Sequence, residues 1–151
     1  MRSFGLVEEK LAEAEFFIDQ ISELKFGIFP AQCYLNAFIS SARSVTFAIQ
    51  ASIGDIPDFD DWYKNIQNRF KKDEIAQWFL KCRNESIHIG IAHIKSGQEV
   101  GDEYKFYFHS IFDMDDEGPK EDVLTACRHH MKNLVDVVFE CFDKFGFYID
   151  C

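Results

Sequence analysis

The segment Arg83-Asn84-Glu85-Ser86-Ile87-His88 groups three side chains that cleavage of a ribose phosphodiester would use. A base must take the proton from the 2′-hydroxyl, and His88 belongs to the residue type whose unperturbed pKa lies nearest neutrality. Charge developing on the phosphate needs a cation, and Arg83 offers a planar fork matched to two oxygens. Asn84 can orient the histidine or donate to the phosphate. Asn84 and His88 are four apart and share a helix face. Arg83 is five from His88, about 140° round an ideal helix. The two converge on one ligand only where the helix end borders a cleft or a partner. This chemistry calls for no metal and no cofactor. The competing reading is structural, with Arg83 paired to a carboxylate and His88 satisfying a carbonyl where the helix ends.

A second group is Asn36, Ser40, Arg43 and Phe47, whose steps of four, three and four place them on one helix face. Asn36, Ser40 and Arg43 are candidates for substrate binding. An arginine on a helix this apolar needs an acidic partner or a site to point into. Glu85 is the expected partner, which would make Arg43 structural. His129 and His130 are adjacent, so they point about 100° apart and do not share a metal; both are read as solvated or partner-facing. His93 and His109 are read as a cross-strand pair. The acidic run Asp113–Glu117 lacks the spacing of a calcium loop. Cys33, Cys82, Cys127, Cys141 and Cys151 form no CxxC pair and suit no zinc site, so they read as free thiols in a reducing cytosol.

The elements that must position these groups follow from periodicity. Val7, Leu11, Ala14, Ile18, Ile21 and Leu24 predict a helix over 6–25. Pro30 predicts the start of a second helix running to about Ile53, with Leu35, Phe38, Ala42, Val45 and Ile49 inward. Asp58 and Asp73 are expected to cap a third and a fourth helix. The fourth turns Ile75, Trp78, Phe79 and Cys82 inward, carries Arg83 to His88 and fails near Gly90. The period then drops to two at Ile87, Ile89, Ile91 and His93, and again at Tyr104, Phe106, Phe108 and Ser110. A hairpin over about 88–112 is predicted, with 96–102 as its connection. Pro119 is expected to open a final helix to about Phe145, followed by Gly146. The fold class is mainly all-α, a four- to five-helix bundle with a small β-hairpin inserted before the last helix, in one domain over residues 1–151.

A chain of 151 residues with 47% apolar residues can bury a core without staples. Its net charge of −10 argues against a broad basic surface for duplex DNA, though not against a local basic pocket. The 17 phenylalanines supply bulk for a core and for an interface. Glu8, Glu9, Glu13 and Glu15 interrupt any signal-like N-terminus, and no apolar run reaches the length of a membrane span. A cytoplasmic protein with no membrane partner is expected.

The Arg-Asn-x-x-x-His spacing at 83–88 resembles the RxxxxH motif of the HEPN superfamily. Tyr34-Leu35-Asn36-Ala37-Phe38 through Ala42-Arg43-Ser44-Val45 resembles the second helix of such domains, and the long last helix also fits. The resemblance implies a metal-independent endoribonuclease or toxin-like RNA-processing protein acting as a homodimer. In it Arg83 would bind phosphate, His88 would serve in acid–base catalysis and Asn84 would support them. The alternative it implies is a non-catalytic module that binds a nucleotide or a nucleotidyltransferase-type partner protein.

Overall fold

The computed structural model describes residues 3–110, 112 and 118–149, with the main chain alone of His88. Among these residues the chain forms five α-helices: α1 (Gly5–Glu23), α2 (Ile28–Ile53), α3 (Phe59–Lys72), α4 (Glu74–His88) and α5 (Val123–Phe145). A two-stranded antiparallel hairpin, β1 (Ser96–Val100) and β2 (Glu103–Tyr107), lies between α4 and α5, and a short 3₁₀ turn, Gly146–Tyr148, follows α5. The predicted helical bundle with an inserted hairpin is the observed architecture.

The helices form where an apolar stripe recurs at three- and four-residue steps and can be buried. α1 buries Val7, Ala14, Ile18 and Ile21 and packs along α2. α2 is apolar on more than one side, burying Leu35, Phe38, Ile39, Ala42, Val45 and Ile49, and it touches α1, α4 and α5. This makes it the central helix. Pro30 sits in its first turn, where the missing N–H is no loss. α5 buries Val123, Cys127, Leu134, Val137, Val138, Cys141 and Phe145.

α3 is amphipathic and buries only Phe59 and Ile66. The Phe59 ring stacks on Tyr63 at 5.3 Å, and Arg69 pairs with Glu140 of α5. Asp60 and Asp61 lie in its first turn and Arg69, Lys71 and Lys72 in its last, which suits the helix dipole. Asp58 precedes α3 in the left-handed region, and its side chain makes no cap bond, contrary to expectation.

α4 begins as predicted, with Asp73 accepting from the N–H of Ala76 at 2.9 Å. It ends at the predicted place. The N–H groups of Ile89 and Gly90 both reach the carbonyl of Glu85 at 2.9 Å, and Gly90 has φ +76°, a conformation that favours glycine. The chain then runs without regular structure to Ser96, fixed by a side chain from α2. Gln32 Oε1 accepts from the N–H of His93 at 2.9 Å and of Ile94 at 2.8 Å.

The hairpin differs from its predicted placement. Ile87, Ile89 and Ile91 alternate but are exposed and pair with no strand. The stretch 96–100, read as connection, is β1, in register from Ser96↔Tyr107 to Val100↔Glu103. Gly101-Asp102 makes the turn, with Gly101 at φ +63°, as a two-residue hairpin loop with glycine first requires. Gly97 has a packing role, because a Cβ there would lie 2.6 Å from the Tyr104 ring. His93 and His109 are not a cross-strand pair: His93 faces Trp78 and Glu85, and His109 lies against Tyr107.

α5 starts four residues later than Pro119 suggests. Asp122 is its cap, accepting from the Thr125 N–H at 3.1 Å and the Thr125 hydroxyl at 2.6 Å. The acidic run 113–117 and Cys151 lie outside the described residues. Cys82, Cys127 and Cys141 are buried free thiols and Cys33 is exposed. Burial pushes the Cys82 and Cys141 thiols up to about 12, so they stay protonated at neutral pH. Among the described residues no helix is long and apolar enough to cross a membrane.

Candidate functional site

Of the six candidate residues, the structure gathers two. Arg43 of α2 and Arg83 of α4 line one cavity of about 80 Å³. That volume holds several waters or a compact group of a few heavy atoms. Periodicity explains the meeting. Arg83 follows Phe79 by four and Ala76 by seven, so it continues the row that faces α2. Arg43 lies between Ile39 and Thr46 on the α2 face turned to α4. All these residues line the cavity, and Leu80, Phe70 and Leu134 complete its apolar wall.

Neither arginine has a carboxylate partner among the described residues. The Arg43 guanidinium lies over the Phe47 ring instead, 4.7 Å from its centroid. The expected Arg43–Glu85 pair does not form. Glu85 is two residues past Arg83, about 200° round the helix, and faces the chain after α4. There it meets His93 Nε2 at 3.2 Å and Lys81 Nζ at 3.6 Å.

The other candidates are placed apart from this cavity. Asn36 Oδ1 accepts from Gln32 Nε2 at 2.9 Å, bracing the residue that holds 93–94. Ser40 is exposed, and its carbonyl accepts from the Ser44 hydroxyl at 2.9 Å. Asn84 is exposed on the outer face of α4. His88 is the last residue of α4; its side chain lies outside the described residues.

His130 of α5 reaches the cavity and was missed as a site residue. It is not solvated. Its ring lies 5.3 Å from Phe79, 6.1 Å from Phe70 and 6.4 Å from Phe38 between centroids. Nδ1 is enclosed with no hydrogen-bond partner. Burial pulls the ring down to about 4, against a smaller upward pull from Asp73, so it is neutral at pH 7. The signal for it was its place on the stripe Cys127–His130–Leu134. His129, one residue before, points out and pairs with Asp73 at 3.0 Å. Among the described residues no group of three metal-ligating side chains occurs.

Fold and site together define a helical protein with a small arginine-edged cavity between α2, α4 and α5. The chain belongs to the family described as bacteriophage lambda protein ea47, whose profile matches residues 6–141. It is similar to Protein ea47 of Escherichia phage lambda, 39% identical over 51 residues. That match covers 33% of this chain and 12% of the phage protein, so it spans about an eighth of that relative's length. No solved structure matches.

This membership corrects the resemblance to the HEPN superfamily. That resemblance covered the chain in outline but its specific part was six residues, whereas the family match runs over 6–141 and leads elsewhere. An arginine and a histidine five apart near a helix end is a spacing that chance supplies often. The endoribonuclease and toxin-like roles fall with it, as does the alternative of a module for a nucleotide or a nucleotidyltransferase-type partner.

Proposed function

We propose that the chain is a binding protein whose α2–α4–α5 cavity takes a small organic carboxylate with an apolar body. The observation that carries this reading is the pair of arginines without partners. The chain has 26 acidic residues against 16 lysines and arginines, yet Arg43 and Arg83 meet no carboxylate among the described residues. Two guanidinium forks at one opening suit a planar carboxylate. Walls of Ile39, Phe79, Leu80 and Leu134 suit a short aliphatic body or one edge of a single ring, the rest of which stays in the opening, and give no reason for a bare inorganic anion to be preferred.

The test is an NMR titration of the whole chain with benzoate, its neutral counterpart benzamide, and inorganic phosphate. Benzoate is expected to bind saturably and to shift amides around Arg43, Leu80 and Arg83, and benzamide is not. Phosphate binding as tightly as benzoate would count against the apolar half of the reading.

A second copy of the chain belongs to this proposal. Phe47 is 48% exposed, Ile87 63% and Ile89 69%. Phe47 lies against Arg43 on α2, Ile87 stands one turn past Arg83 on α4, and Ile89 follows the helix end. A copy packed there would cover an exposed apolar patch. Buried free thiols support a reducing, cytoplasmic setting.

A further inference from the structure

We propose that His130 makes the cavity selective for acids bearing a second oxygen, a hydroxy or keto acid, by donating a hydrogen bond to that oxygen. This deepens the carboxylate reading and rests on it. Three observations on the ring carry it. It lines the cavity from α5, whereas the arginines come from α2 and α4, so a ligand held by Arg43 and Arg83 has a polar group awaiting it on a third helix. Phe38, Phe70 and Phe79 surround the ring and fix its orientation. Neither ring nitrogen has a hydrogen-bond partner among the described residues, and of the two only Nδ1 is enclosed.

The tautomer follows from that difference. An enclosed N–H without an acceptor is rarer and less favourable than an enclosed lone pair. The proton therefore sits on Nε2, the nitrogen that is not sealed off. The ring stays neutral at pH 7 because burial disfavours its charged form. It thus presents one N–H donor and no charge, between the apolar side chains Phe70, Phe79 and Leu134 of the lining. A ligand that leaves this donor unmet loses a hydrogen bond that water supplied before binding. A ligand oxygen in reach restores it.

The test compares benzoate with 3- and 4-hydroxybenzoate on the full chain, by titration. The preferred hydroxy acid is expected to bind wild type about fivefold tighter than benzoate, the scale of one neutral hydrogen bond. In His130→Phe, which keeps an aromatic ring, that ratio is expected to fall to about one. In His130→Gln, which restores an N–H donor, part of the preference should return. Should His130→Phe fail to fold, the wild-type ring answers alone. The His130 Nε2 resonance is expected to move with the hydroxy acid and not with benzoate. Equal affinities for all three acids in wild type, or a preference that survives in His130→Phe, would overturn the assignment. Binding of none of them would overturn the carboxylate reading itself, and this one with it.

Discussion

Arg43, Arg83 and His130 have one thing in common at the scale of single residues: each carries polar groups that no described residue satisfies with a hydrogen bond or an ion pair. Arg43 is exposed and Arg83 half-buried, so water meets them in the free chain, whereas an enclosed atom such as His130 Nδ1 is ordinarily paired. Asp73 shows the ordinary case. Burial works to raise it, but hydrogen bonds from His129, the Ala76 N–H and Asn133 prevail and hold it below the usual carboxylate range. His130 has no such help, and its pH behaviour follows. Its folded pKa lies near 4, below the roughly 6.5 of an unfolded histidine. The unfolded chain therefore binds this proton first as pH falls. Above about pH 6.5 the group is neutral in both states and contributes no pH dependence. From there down to about 4 it lowers stability progressively, and the loss then levels off. Urea unfolding between pH 7 and 4 is expected to show a shallower decline for His130→Phe than for wild type. Parallel declines would mean that the ring is not held neutral. Only part of this was legible in the sequence. Cys127, His130 and Leu134 stand at steps of three and four, a spacing that places His130 on the inward row against its reading as solvated or partner-facing, but that Arg43 lacks Glu85 depends on helix rotation and on where His93 lies.

At the scale of elements, apolar periodicity located the helices because each packs one stripe against a neighbour. The strands were harder to place. Ile87, Ile89 and Ile91 alternate like a half-buried strand, yet no partner strand meets them, and alternation alone does not say which segments pair. The decisive feature was the Gly101-Asp102 turn, which sets the register of 96–100 against 103–107. Gln32 had no sequence signal at all, since it acts on residues 61 and 62 positions away. It is nonetheless what ties the chain after α4 to α2, beside the cavity helices. Gln32→Ala leaves the His93 and Ile94 N–H groups unmet and is expected to destabilise the fold by about 2 kcal/mol. Asn36→Ala, at an exposed partner of Gln32, should stay within about 0.5 kcal/mol. Equal urea midpoints for the two variants would show that the Gln32 clamp carries no stability.

At the scale of the whole molecule, a net charge of −10 repels anions at a distance. The site must therefore work locally, through two arginines at contact range, and solution salt of about 0.15 M confines long-range repulsion to about 8 Å. Composition gave the fold class and the charge, but six residues at 83–88 pointed to a family that the match over 6–141 replaced. A short motif says little when neither its partners nor its surroundings are visible in one dimension. The proposed second copy is tested by sedimentation velocity. Wild type is expected as a dimer and Ile87→Glu as a monomer; a wild type monomeric at about 100 µM removes the copy without touching the cavity. The central claim is the carboxylate site, and the most direct measurement is the benzoate dissociation constant of wild type, Arg43→Ala, Arg83→Ala and the double variant. Loss of one charge-assisted contact predicts about tenfold weaker binding in each single variant, and no saturable binding in the double one. A double variant that binds benzoate as wild type does would contradict the account.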